Sequence, residues 1–114
     1  MSPVLEAIFG NRTAALVLLF IEAYGEGHAL RIANTYRIGL NMTQRQLKRL
    51  EADGVLVSRM VGNARVFTFN ERNPSVRNLH RFLAAEIDLL PKDDVRKYFR
   101  QRQRPRRSGK ALSP

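Results

Sequence analysis

The sequence predicts a mainly α-helical domain carrying one small β-hairpin, with extra helices at both ends. Three observations lead there. Apolar residues recur at three- and four-residue spacing through the first 53 positions and again from 76 to 90. Between 55 and 69 the pattern changes to β-branched and aromatic residues in rough alternation. At the centre of that stretch lies Val61-Gly62-Asn63-Ala64, a tight-turn signal with residues tolerant of positive φ.

The elements follow in order. Ser2–Gly10 reads as a short helix, with Ser2 as N-cap and Pro3 at the first helical position. Arg12–Tyr24 is a second helix, apolar nearly all round from Ala14 to Ile21, as a helix buried on most sides must be. Gly25-Glu26-Gly27 is a loop. His28–Tyr36 is a third helix with Leu30, Ile32 and Ala33 turned inward. Asn41–Asp53 is the fourth. Its inner face is Leu40, Thr43, Leu47 and Leu50, its N-cap Asn41 (or Gly39), and Gly54 follows as a C-terminal cap. Val55–Met60 and Arg65–Phe69 form the hairpin. A helix then starts at Pro74 or Ser75 and runs to about Leu90, striped by Val76, Leu79, Leu83, Ile87 and Leu90 and stopped by Pro91. Lys92–Gln103 is a last short helix opened by Asp93 and Asp94, and Pro105–Pro114 has the composition of a disordered end. The natural division is 1–91 for the folded unit and 92–114 for a basic helix and tail.

Composition narrows the function. The 114 residues suit one domain with a core of modest margin. There is no cysteine, which removes disulfides, thiolate zinc sites and thiol catalysis and suits a reducing cytoplasm. The longest apolar run, Ala14–Ile21, is too short to span a bilayer. No Gly-rich phosphate loop, nucleophile motif or metal cluster is present, so neither an enzyme nor a cofactor is expected. The two histidines, His28 and His80, fall in different elements.

The net charge is +10, unevenly spread. Residues 95–114 hold eight basic residues and no acid; residues 1–94 hold twelve basic and ten acidic. A basic zone draws polyanions through counterion release, although a solvated, solubilising surface has the same composition. The order of elements separates these readings. A helix pair followed directly by a two-stranded hairpin is the layout of a winged helix-turn-helix, in which the second helix of the pair enters the major groove. Residues 41–53 would be that helix and 55–69 the wing. Leu47 and Leu50 face the core, leaving Asn41, Met42, Gln44, Arg45, Lys48 and Arg49 outside. Arg can donate twice to a guanine edge and Gln can pair with adenine, so Gln44 and Arg45 are assigned to bases, with Asn41 or Met42 nearby. Lys48 and Arg49 are assigned to phosphate. On the wing, Arg59, Asn63 and Arg65 surround the tip, where they can reach the flanking backbone or minor groove.

The segment IANTYRIGLNMTQRQLKRLEADGVLVSRMVGNARVFTFNERNPSVRNL resembles winged-helix regulators of the ArsR-like group, with MarR-like and PadR-like proteins as close competitors. The likeness covers about Leu16–Leu90. Its LKRLEADGVLVSR run is common to many winged-helix families and specifies the fold better than the subfamily. The resemblance implies sequence-specific binding to double-stranded DNA, transcriptional repression and a homodimer. Val76, Leu79, Leu83, Ile87 and Leu90 are the expected dimer stripe, their other use being to close the core of one chain. Departures are equally clear. Without cysteine or paired histidines, metal sensing has no ligands here, and no effector is identifiable. The turn Tyr36-Arg37-Ile38-Gly39 has Arg37 where a small residue is usual, which predicts a looser junction. In the tail, Arg100, Arg102, Arg104, Arg106 and Arg107 follow Tyr98 and Phe99, a mixture suited to phosphate backbones or RNA. The rival function is a winged-helix adaptor or RNA-binding subunit of a larger complex.

Overall fold

A computed structural model describes residues 2–99. The expectations for Arg100, Arg102, Arg104, Arg106, Arg107 and the helix end at Gln103 lie outside them. The described chain runs α1 (Pro3–Phe9), α2 (Arg12–Tyr24), α3 (Ala29–Tyr36), α4 (Leu40–Ala52), β1 (Leu56–Val61), β2 (Ala64–Phe69), α5 (Pro74–Asp88) and α6 (Lys92–Tyr98). This is the mainly helical architecture with one antiparallel hairpin that the sequence predicts. Among the described residues, no single helix is long and apolar enough to cross a membrane.

The core is built around α2. Asn11 caps it, its side chain accepting from the Ala14 amide at 2.6 Å. Every residue from Thr13 to Ala23 is buried, and α1, α3, α4, α5 and β2 all pack against the helix. One of those residues is an acid. Glu22 is 3% exposed, a burial that is costly for a carboxylate without a partner. Its Oε1 meets Nδ1 of His80 on α5, and the imidazole in turn packs beside the Phe69 ring at 5.6 Å.

The loop before α3 does more than connect. Gly27 pairs with Phe67 of β2, each amide donating to the other's carbonyl at 3.1 and 2.8 Å. The hairpin thereby gains a one-residue third strand that ties it to the end of α2. A side chain at Gly27 would not fit, because a Cβ would lie 2.8 Å from Phe20 Cδ1 and 3.0 Å from Ile32 Cδ1.

Several expectations are corrected. In α3 the inward face is Ile32, Ala33 and Tyr36, whereas Leu30 is 54% exposed. Leu30 precedes Ile32 by two residues, roughly 200° round the helix, so both cannot face inward. Leu40, the first residue of α4, is likewise exposed, and the cap is Gly39 rather than Asn41. The junction between α3 and α4 is tight. Arg37 takes the left-handed conformation at φ 57°, with its amide bonded to the Ala33 carbonyl. Holding a non-glycine residue there costs on the order of 1 kcal/mol. The α5 stripe belongs to the chain's own core: Val76, Leu83 and Ile87 are buried, and Leu79 and Leu90 pack half-buried against them.

The aromatic residues at the end of α6 are also structural. Phe99 is fully buried, Tyr98 lies 5.1 Å from the Tyr36 ring, and Tyr24 Oη donates to the Tyr98 carbonyl at 2.8 Å. The Arg31 guanidinium caps the cluster 4.5 Å from the Tyr24 ring centre. Among the described residues, the Tyr36 hydroxyl within it is buried with no hydrogen-bond partner. Burial, reinforced by Tyr24 and Tyr98, pushes its pKa well above the usual tyrosine value.

Two outcomes are expected. Gly27→Ala should lower stability by about 1–3 kcal/mol through overpacking against Phe20, read as a lower midpoint in urea; an unchanged midpoint would show that the approach is slack. Tyr36→Phe should match or exceed the parent, because an unbonded hydroxyl costs roughly 1–3 kcal/mol to bury. Its pH profile should differ as well. With the folded pKa raised, the unfolded chain releases the proton first, so stability falls as pH rises above about 10. Urea titrations at pH 9 and 11 should show a smaller loss for Tyr36→Phe than for the parent.

Candidate nucleic-acid interface

Helix α4 is held by three buried residues on one face. Leu47 and Leu50 pack into the core, and Thr43, fully buried, donates its hydroxyl to the Gly39 carbonyl at 2.8 Å. Fixing that face determines the opposite one. Asn41, Met42, Gln44, Arg45, Lys48 and Arg49 are all exposed, as the sequence predicts. At the C-terminal end Val55 N–H bonds to the Leu50 carbonyl at 2.9 Å, so the chain passes directly from α4 into the wing.

The six exposed residues differ in how free they are. Among the described residues, Gln44, Arg45 and Lys48 have no side-chain hydrogen bond or ion pair. Arg49 is engaged: its Nε donates to Gln46 Oε1 at 2.9 Å. The same oxygen accepts from Asn11 at the start of α2 at 3.4 Å. Gln46, which sequence reasoning passed over, therefore ties this edge of α4 to the core helix.

The hairpin pairs Leu56 with Phe69, Ser58 with Phe67, Met60 with Arg65 and Val61 with Ala64. Partners directly opposite share a face. Leu56, Ser58, Met60, Arg65, Phe67 and Phe69 thus face α4 and the core, while Arg59 points the other way. The two wing arginines are not equivalent flanks of one tip. Arg59 reaches Glu26 in the loop before α3 at 3.0 Å. Both side chains are about half exposed, and such a pair is worth at most about 1 kcal/mol. A phosphate can therefore recruit Arg59 at little cost. Arg65 donates from Nη1 to Ser58 Oγ at 3.1 Å, and Ser58 donates to Glu51 Oε2 on α4. This Glu51–Ser58–Arg65 chain clips the wing to the helix. Asn63 stands exposed at the tip beside Gly62, whose φ of 60° the two-residue turn requires.

Between α4 and the hairpin lies a groove of about 700 Å³. Gln44, Lys48 and Glu51 line it from α4, Met60 and Arg65 from the hairpin, and Leu30 from α3. Nothing in the sequence pattern announced it, because Leu30 reads as a core residue and Met60 as part of a strand. Among the described residues no group of three or more His, Asp or Glu could hold a metal ion.

The sequence matches no protein-family model and no curated protein. Solved structures do match. The antimony-specific transcriptional repressor AntR is similar over 75% of this chain and 76% of its own, with 22% identity and a TM-score of 0.53. The disulfide-formed structure of AbfR is similar over 75% of this chain and 66% of its own, with 18% identity and a TM-score of 0.48. The likeness to AntR is one of fold: this chain has the winged helix-turn-helix architecture, with α3 and α4 as the helix pair and β1–β2 as the wing.

Proposed function

We propose that this protein binds double-stranded DNA sequence-specifically, with α4 in the major groove and the wing on the flanking backbone, and represses transcription in the cytoplasm. One observation carries the reading. Gln44, Arg45 and Lys48 form an exposed arc whose hydrogen-bonding capacity is not spent inside the described chain. It lies on the helix that this fold presents to DNA. In this reading Gln44 and Arg45 read bases, with Asn41 and Met42 beside them. Lys48 and Arg49 bind phosphate, as do Arg59, Asn63 and Arg65 from the wing. The shared fold with a transcriptional repressor supports the assignment. Antimony specificity belongs to AntR; the present chain offers no thiol for a soft metalloid.

The protein acts as a homodimer in this reading. The apolar residues left exposed for contact with a second copy include Val4 and Ile8 on α1 and Phe82 and Leu89 in and just after α5, since Val76, Leu83 and Ile87 are already buried within the chain. The basic tail supplies affinity without specificity. Its root is fixed by Phe99 beside Tyr36, one residue from the turn that leads into α4.

Selection of bound duplexes from a random pool should yield a defined site, and Arg45→Ala should relax the preference at one position of it at a cost of about 1–3 kcal/mol. Unchanged preference in that variant would remove α4 from base reading. Tighter binding to structured RNA than to duplex DNA across a salt series would overturn the DNA assignment. Deleting residues 100–114 should weaken binding to every duplex alike and flatten the salt dependence, a result that loss of sequence preference would contradict.

A further inference from the structure

Four of the chain's exposed large apolar residues, Leu30, Leu40, Met60 and Val61, come from three separate elements and line the groove between α4 and the hairpin. Each is at least 40% exposed. Scattered apolar residues on a surface need no explanation, but a set gathered into one concavity does. Duplex DNA does not supply one. A sugar–phosphate strand passing between helix and wing presents charge to the groove and leaves the apolar floor unmatched.

The groove's polar groups show a direction. Glu51, its acid, already accepts from the Ser58 hydroxyl, and that hydroxyl accepts from Arg65. Arg65 keeps further guanidinium donors beyond that bond. Lys48 has no partner among the described residues. Two cations therefore line this largely apolar groove against one acid that is hydrogen-bonded. The volume of about 700 Å³ lies within the range of small-molecule sites.

We infer that this groove binds a small amphipathic anion. Its apolar body lies over Leu30, Leu40 and Met60, and its carboxylate or sulfonate group meets Lys48 and Arg65. Gln44 and Lys48 line the groove and also belong to the arc assigned to DNA. Ligand and duplex therefore compete for the same side chains, which makes the ligand an effector that releases DNA. The site itself stands on the groove alone; the competition rests on the proposed function.

The test uses 8-anilinonaphthalene-1-sulfonate, an aromatic body with one anionic head, on the full chain. Its fluorescence should rise to saturation with one site per chain, and dodecanoate should displace it. Met60→Asp and Leu30→Asp, both at exposed positions, should weaken binding at least tenfold, about 1.4 kcal/mol. Val57→Asp, on the opposite face of the hairpin, should leave it unchanged. The uncharged N-phenyl-1-naphthylamine should bind several-fold more weakly than the sulfonate, and Lys48→Gln with Arg65→Gln should abolish that difference. Unsaturable binding, loss in Val57→Asp but not in Met60→Asp, or equal affinity for the uncharged probe would each overturn the site. A duplex recovered by selection should displace the sulfonate. Simultaneous binding of both would overturn the competition. If the chain bound the sulfonate as described but no duplex at all, the DNA reading would fail and the ligand site would remain.

Discussion

Helix α2 has no side to show to water. From Thr13 to Ala23 every side chain is buried, which leaves the chain only arrangements in which other elements surround that helix. Each buried Leu, Val, Ile or Phe contributes roughly 1.5–3 kcal/mol when removed from water. No interaction on the surface approaches the combined effect. The exposed pair of Arg59 and Glu26, or that of Arg12 and Glu6 at 4.0 Å, can trim the structure but not direct it.

The placement of the candidate interface follows from this packing. Helix α4 turns Leu47 and Leu50 toward α2, and its polar arc is the geometric remainder. The wing is placed by the same helix through a different contact: Phe20 of α2 forces glycine at position 27, and the backbone of Gly27 then holds β2. Helix and wing thus share one support, and the Glu51–Ser58–Arg65 chain joins them directly.

Much of this was legible in the sequence, because burial leaves a periodic trace. The bounds of α2, the hairpin turn at Gly62-Asn63 and the exposed arc of α4 all follow from spacing and residue type. What spacing does not encode is which of several apolar residues finds a partner. Leu30 and Ile32 are equivalent as letters, and only the position of Phe20 and Tyr36 decides between them. Tyr98 and Phe99 precede a basic run and look like nucleic-acid ligands, yet an aromatic cluster formed with Tyr24 and Tyr36, more than sixty residues earlier, claims them. Arg37 breaks the rule for its turn at a cost of about 1 kcal/mol, a sum the rest of the core can absorb. The ties made by Gln46, Ser58 and Glu22 are polar contacts of individual side chains, with no repeat to reveal them.

The use of the α5 stripe inside the chain separates two equilibria. With Val76, Leu83 and Ile87 already out of water, one chain completes its own core. Its stability then has no built-in dependence on protein concentration, unlike an obligate dimer whose folded monomer does not exist. In the proposed homodimer, assembly is then a second equilibrium, separate from folding. Under that proposal, the amount of protein present sets how much of it is paired without moving any of it toward unfolding.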